Sequence, residues 1–318
     1  MDKRHYSPAP PAATAHQARP RKRPRYLIND YGDIVMTLRN HLHSLAACTL
    51  VSGSLFLSPW ALAHETWLLP ETFQPAADEP TTILMTSGMA FPALGSGISS
   101  VRIKEAVLSQ SGERSAMVPV GSSIGALQLS AVPGPGTACA WVALDPRILN
   151  IKEDAVAHYL EEVGADDTVW AAWEAQAEPR QWQESYTKLA RTYLRAGGVN
   201  YGNNDGDNQG EDCWTDQSDT RFDILPTQDP GTLSAGDRLS LQLLFDGEPL
   251  ANQAVGLIRA GDDPGELVRS NTDGTLTLEF AEGGNYMVFA TKLWPGKGEG
   301  FNWESNFVTL TFMVKDKQ

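Results

Sequence analysis

Leu239-Ser240-Leu241-Gln242-Leu243-Leu244-Phe245-Asp246-Gly247 is the stretch on which the fold class turns. Leu239, Leu241, Leu243 and Phe245 fall on every second position, the period of a strand with one buried face. Asp246-Gly247 is a tight-turn dipeptide, because the central residues of such a hairpin need positive φ. The same pattern returns downstream, where Asp273-Gly274 opens a segment carrying Leu276, Leu278 and Phe280 on one face. Residues 307–314 read as a closing strand. Upstream, short runs at 81–86, 101–108 and 138–144 are separated by Gly, Pro and Ser clusters. These features predict a mainly β fold built from immunoglobulin- or transthyretin-like β-sandwich regions, with no internal repeat.

The period changes in the middle of the chain. Asn150 followed by Glu153 reads as a capping box, and Val156, Tyr159, Leu160 and Val163 share a helical face that ends at Gly164. A second short helix is expected over 167–177. A third is expected to open near Pro179 and to carry Tyr186, Leu189, Tyr193 and Leu194 before Gly197-Gly198 stops it. The predicted organisation is therefore an N-terminal β region at 64–150, a helical insertion at 151–200, an acidic loop at 201–220 and a C-terminal β-sandwich at 221–318.

The segment before residue 64 reads as an export signal. An apolar core at 44–63 follows Arg39, is broken by Pro59 and ends in Ala61-Leu62-Ala63, a small-x-small cleavage site. Its Ser, Gly and Pro content leaves it too interrupted for a spanning helix, which needs about 20 apolar residues. Met36 would start a signal peptide of ordinary length at 36–63, which makes residues 1–35 a non-native N-terminal extension. Arg19-Pro20-Arg21-Lys22-Arg23 in that extension has the look of a nucleic-acid patch but falls outside the processed protein. Leu45-Ala46-Ala47-Cys48 matches a lipoprotein box, yet most of the apolar core follows Cys48 rather than preceding it. The expectation is a periplasmic protein beginning at His64.

Of the 25 basic and 39 acidic residues, eight and three precede His64, leaving 17 and 36 and a net charge of −19. Such a surface repels nucleic acid and anionic membranes. Cys139 and Cys213 remain; an exported chain permits a bridge between them, and two unpaired thiols are the alternative.

His64 is the foremost candidate for chemistry. Cleavage before it frees an α-amine beside an imidazole, and the two nitrogens together can chelate one Cu(II), Ni(II) or Zn(II) ion. A third ligand is needed, and Glu65, Glu304 and His158 are the candidates. Only His64 and His158 survive processing, so no histidine cluster exists. His158 otherwise reads as a helix-surface residue. Residues 205–216 resemble a calcium loop loosely, with Gln209 at the fifth position and Asp216 at the twelfth, and calcium is not expected. Trp170, Trp173 and Trp182 cluster in the insertion, and Trp294 and Trp303 flank a Gly-rich stretch. They read as core, with an aromatic binding surface as the alternative. No Gly-x-Ser-x-Gly elbow, His-Glu-x-x-His or P-loop is present, so an enzyme is not expected.

Several segments together resemble the DUF4198 family, whose members are often labelled periplasmic nickel- or cobalt-uptake proteins. They are His64-Glu65-Thr66-Trp67-Leu68, Tyr159-Leu160-Glu161-Glu162, Glu184-Ser185-Tyr186-Thr187-Lys188, Phe222-Asp223-Ile224-Leu225-Pro226, Asp246-Gly247-Glu248-Pro249-Leu250 and Trp303-Glu304-Ser305. The resemblance implies a nickel or cobalt function coupled to a metal-uptake transport system, and the His64 donor pair adds copper as a candidate. Relatives often carry Val-His-Met in the penultimate strand, where this chain has Thr291-Lys292-Leu293, so a cation stands where they place a histidine. The alternative function is a non-catalytic β-sandwich module that binds a partner protein or a glycan.

Overall fold

The computed structural model describes residues 65–197 and 212–317. The predicted extension, the signal peptide, His64 and the acidic stretch up to Glu211 lie outside the described residues. The strands of the N-terminal half are β1 (Glu65–Pro70), β2 (Thr81–Gly88), β3 (Ser96–Gly97), β4 (Ile103–Gln110), β5 (Glu113–Ala116), β6 (Val118–Ser123), β7 (Ala126–Ala131), β8 (Gly136–Leu144) and β9 (Arg147–Ile151). Two helices follow, α1 (Glu153–Glu162) and α2 (Asp167–Glu174), and then the long strand β10 (Trp182–Ala196). The chain continues through β11 (Phe222–Pro226), β12 (Arg238–Phe245), β13 (Glu248–Pro249), β14 (Ala254–Arg259), β15 (Val268–Arg269), β16 (Thr275–Glu279), β17 (Gly284–Pro295) and β18 (Trp303–Val314).

These strands form three sheets, and the fold is mainly β, with packed sheets in the manner of a β-sandwich. The largest runs β15-β14-β17-β18-β10-β8-β4-β5, with β9 added against the first part of β10. It takes strands from both halves of the chain. Every pairing in it is antiparallel except β10 with β18, which run parallel from Glu184↔Trp303 to Thr192↔Thr311. A five-stranded sheet (β1, β2, β3, β6, β7) packs Leu68, Ile83, Met85 and Leu129 on Ala138, Ala140, Val142 and Ala190 of the central sheet. A four-stranded sheet (β11, β12, β13, β16) packs Phe222, Ile224, Leu239, Leu241 and Leu243 on the opposite face, against Trp141, Leu189, Val308 and Leu310. Of the predicted inward set, Leu239, Leu241 and Leu243 are fully buried, as alternation requires, and Phe245 is partly buried against the same core. Covering both faces of β8 explains why residues 138–144 are apolar without alternation.

Two sequence expectations are corrected. The third helix does not form: residues 182–196 are β10, which runs through the middle of the central sheet. Tyr186, Leu189, Tyr193 and Leu194 match a helical face by spacing, but alternate residues of β10 point to opposite layers. Ala190 and Leu194 meet the five-stranded sheet, and Leu189 and Tyr193 meet the four-stranded one. Asn150 is likewise not a cap. It pairs with Gln183 in β9, and α1 starts after Lys152 without a side-chain cap. α2 is capped by Asp166, whose carboxylate accepts from the Thr168 and Val169 amides at 3.0 and 3.1 Å.

Cys139 of β8 and Cys213 are joined in a disulfide, with Cα atoms 5.8 Å apart. It ties the central sheet to the segment leading into β11. A disulfide persists in oxidising compartments, so this one points to an extracytoplasmic setting. No helix among the described residues is long and apolar enough to cross a membrane.

Candidate functional site

β1 is the edge of its sheet, so one row of its backbone groups lacks strand partners. β18 supplies them from below. Thr309 Oγ1 donates to the Thr66 carbonyl at 2.6 Å and Thr311 Oγ1 to the Leu68 carbonyl at 2.7 Å. These two hydroxyls clamp β1 across the central sheet and hold its first residue, Glu65, over β10. The helices occupy the same face further along. Val156, Tyr159 and Leu160 of α1 and Val169 and Trp173 of α2 pack on Trp182, Leu293, Trp303 and Phe307. Trp182 stacks on Trp303 with centroids 4.2 Å apart, and Trp173 and Tyr159 meet Trp182 edge-on.

A cavity of about 240 Å³ opens between the start of β1 and the end of α1. Glu65, Glu162, Val163, Leu267, Phe289 and Thr291 line it. Glu65 is half-buried as a residue, but its Oε2 is sealed from solvent and has no hydrogen-bond partner. Burial raises the Glu65 carboxyl from its ordinary 4.5 to about 7. The nearby charge of Glu162 adds to the rise, and Lys188 opposes it. Lys188, on β10, lies over the rings of Phe307 and Tyr186, 5.1 and 5.7 Å from their centroids. Burial lowers its ammonium to about 8, against the pull of Glu65. Deeper on β10, the Glu184 carboxylate is satisfied by Tyr159 Oη at 2.9 Å, Trp182 Nε1 at 2.8 Å and Ser305 Oγ. Burial still raises the Glu184 pKa, and burial followed by the Glu184 charge raises that of Tyr159.

The fold therefore gathers buried charge around the first residues of β1: Glu65 and Lys188, with Glu184 behind them and Glu162 at the rim. A model of the family described as a domain of unknown function, DUF4198, matches residues 61–292, a span that takes in β1, both helices and the cavity. The chain belongs to the DUF4198 family. The match stops at Lys292, so the Trp303-Glu304-Ser305 resemblance lies beyond it. No curated protein matches this DUF4198 chain in sequence. Among solved structures, it is similar at 11% identity to the ICAM-5 D1-D4 ectodomain fragment, with a TM-score of 0.20, over 79% of this chain and 51% of that one. It thus spans about half the length of that fragment. It is also similar to a marsupial T cell receptor at 11% identity and a TM-score of 0.20, over 80% and 74% of the two chains. For three N-terminal domains of the bacteriophage RB49 Hoc protein the values are 8% and 0.16, over 78% and 59%.

The predicted third ligands separate on this DUF4198 fold. Glu65 faces the cavity. His158 is exposed on α1, one turn before Glu162, and its charge lowers the Glu162 carboxyl that burial raises. Glu304 is on the wrong face. Its neighbour Ser305 points to Glu184, while Glu304 acts on Arg221, which lies over Phe245 and Trp294 on the four-stranded side. Strand alternation thus turns Glu304 to the face opposite Ser305. Lys292 does not pair with Glu304 either. Its Nζ lies 3.5 Å from Asp166 Oδ2, at the cap of α2. Asp216, the twelfth position of the loose calcium loop, accepts from Ser109 Oγ at 2.5 Å and lies 3.7 Å from Arg114. Among the described residues no cluster of three or more His, Cys, Asp or Glu side chains forms a metal cage. Trp173, Trp182 and Trp303 are buried, whereas Trp170 and Trp294 are half-buried.

Sequence reasoning does not single out Glu162, Glu184 or Lys188 as site residues. The sequence held a trace of Glu184 and Lys188: two charged residues four apart in a segment otherwise rich in Trp, Tyr and Thr, the composition of a strand. Read as a helix, that segment placed both charges on a solvated face.

Proposed function

We propose that this protein is a non-catalytic, periplasmic metal-binding accessory protein. It holds a copper, nickel or cobalt ion at its processed N-terminus for a metal-uptake transport system. The observation that supports the reading is the carboxyl of Glu65, the residue that follows His64. It has a sealed, unpartnered oxygen at the wall of a cavity large enough for an ion and its waters. An amine, an imidazole and a carboxylate make a donor set suited to borderline divalent metals. The bound ion would offset the cost of a buried, unsatisfied carboxylate oxygen. His64 supplies the amine and imidazole, and the residues around Glu65 fix where the ion sits. Lys292 raises no obstacle, since Asp166 holds its ammonium at the α2 cap. Of the five tryptophans behind the aromatic-surface alternative, Trp173, Trp182 and Trp303 are buried and Trp170 and Trp294 are half-buried.

The test is calorimetric titration with Cu(II) and Ni(II) of three samples: protein starting at His64, its His64→Ala variant, and protein with one extra residue before His64. Tight one-to-one binding in the first and at least tenfold weaker binding in the other two is expected. Equal affinity in all three would overturn the reading.

A further inference from the structure

Two segments of the chain, 80–101 and 115–144, contain no charged residue and no histidine, although charged residues make up 20% of the sequence. The first forms β2 and β3; the second forms β6 and β7 and runs on into β8. Burial accounts for the missing charge in β2, β7 and β8, whose apolar side chains fill the core between two sheets. It does not account for β6, all six of whose residues are exposed, nor for the loop that carries Met89 and Leu94. Among the described residues nine large apolar side chains are exposed, and seven of them lie in these two segments.

Thr86 brings the two segments together. Its buried hydroxyl accepts from the Gly95 amide at 3.1 Å and donates to the Gly125 carbonyl at 2.6 Å, which ties the loop after β2 to the tip of the β6–β7 hairpin. Gly125, at φ +81°, lies so close to Leu94 that an added Cβ would be 3.1 Å from the Leu94 Cβ. Ile124, the residue before it and 98% exposed, therefore shares a corner of the sheet with Leu94, and Val120 and Val118 continue the apolar surface along β6. Exposed apolar residues scattered singly are ordinary, but gathered with no charge among them they mark a contact surface. β6 is the outer strand of its sheet, yet Pro119 has no N–H to offer and the register slips between Pro119 and Gly121. These features blunt the edge against an added strand and leave a side-chain surface open.

The charge of the chain selects the occupant. From His64 onward it holds 17 basic and 36 acidic residues, so a basic partner is drawn to the acidic surface and gains nothing at an uncharged one. Two copies of this chain repel wherever acidic surface faces acidic surface, and the uncharged corner is where they meet without that cost. We propose that this protein self-associates through Leu94, Val118, Val120 and Ile124, which pack on the same four residues of a second copy. A patch that faces itself across a two-fold axis closes at two copies. The contact does not depend on the metal-binding reading.

The experiment is sedimentation velocity of protein starting at His64, from micromolar to millimolar concentration, alongside Ile124→Asp, the double variant Val120→Asp with Ile124→Asp, and Val268→Asp. Val268 is an exposed valine on β15, at the opposite end of the central sheet from β5, which leads into β6, so it controls for added charge. A thermal melt establishes that each sample is folded. The parent and Val268→Asp are expected to dimerise alike, and Ile124→Asp and the double variant to dimerise at least tenfold more weakly. Added NaCl should strengthen the parent dimer, because it screens the repulsion between the two net charges and leaves an apolar contact in place. A parent that stays monomeric throughout would overturn the proposal, and so would a dimer that survives unchanged in the double variant. Equal weakening in Val268→Asp would overturn it as an effect of net charge, and assemblies that grow beyond two copies would overturn the two-fold contact. A monomer that sediments with phosphatidylcholine vesicles, and loses them in Ile124→Asp, would overturn it in favour of a lipid surface.

Discussion

Arg191 of β10 and Asp223 of β11 form a fully buried, two-pronged ion pair that joins the central sheet to the four-stranded sheet. Arg191 Nε donates to Oδ1 at 2.8 Å and Nη2 to Oδ2 at 2.5 Å. The Asp223 carboxylate also accepts from the Ser218 and Ile224 amides, each at 2.9 Å, and the guanidinium lies 5.0 Å from the centroid of Trp141. A desolvated pair is held most strongly when its remaining hydrogen bonds are made; here both Asp223 oxygens are satisfied, whereas Arg191 Nη1 is buried without a partner.

Removing one partner should therefore cost far more than removing both. Asp223→Ala is expected to lower stability by about 3–5 kcal/mol, because it leaves a buried guanidinium without its counter-ion. The double variant Arg191→Met with Asp223→Leu should lose much less. Urea denaturation of the two variants checks this, and equal losses would show that shape rather than charge dominates at this contact.

The Glu65 carboxyl should titrate near 7 in the folded protein, against an ordinary value of 4.5. A raised pKa means that the folded state holds the proton more firmly. The stability Glu65 contributes is then fully present below about 4.5 and is lost as pH rises through about 7. Relative to Glu65→Gln, the parent should lose stability across that window, as followed by urea midpoints. Because Lys188 pulls the carboxyl down, Lys188→Met should move its midpoint above 7, read from the carboxyl stretch in isotope-edited infrared spectra. A midpoint that stays in the ordinary carboxylate range would show that Glu65 is hydrated.

Glu304→Gln should leave Cu(II) and Ni(II) affinity unchanged, since Glu304 acts on Arg221 across the sheet from the cavity. Ser305→Ala removes one of the three hydrogen bonds to the buried Glu184 carboxylate. It should cost about 1–3 kcal/mol of stability, measured by thermal and urea melts. A large loss of metal affinity in Glu304→Gln would contradict the assigned faces of β18.

The Cys139–Cys213 bridge closes a loop across 74 positions of the chain. Replacing both cysteines with alanine should cost about 2–5 kcal/mol, seen as a lowered urea midpoint. Reductant should destabilise the parent towards the variant and leave the variant itself unaffected.

The sequence by itself determined the strand-rich class, the turns and the covered faces wherever one side of a strand meets a core and the other meets polar surroundings. Leu239, Leu241 and Leu243 were legible for that reason, as were Leu276 and Leu278 and the faces of the two short helices. It also singled out Glu65, through its place beside His64. Only the tertiary structure decided β10. That strand is buried on both faces and carries Glu184, Lys188 and Arg191 inward, so alternation is absent and the charges mimic the polar face of a helix. Burial of those charges depends on partners far away in sequence: Tyr159, Ser305, Glu65 and Asp223. The same holds for Glu162 and Glu304. Local spacing gives each residue's face within its own helix or strand, but which face meets the cavity is set by how β1 and α1 dock on the central sheet. That docking is a matter of long-range packing, through the hydroxyls of Thr309 and Thr311 and the close fit of Gly164 against Ala254, and a local pattern carries no record of it.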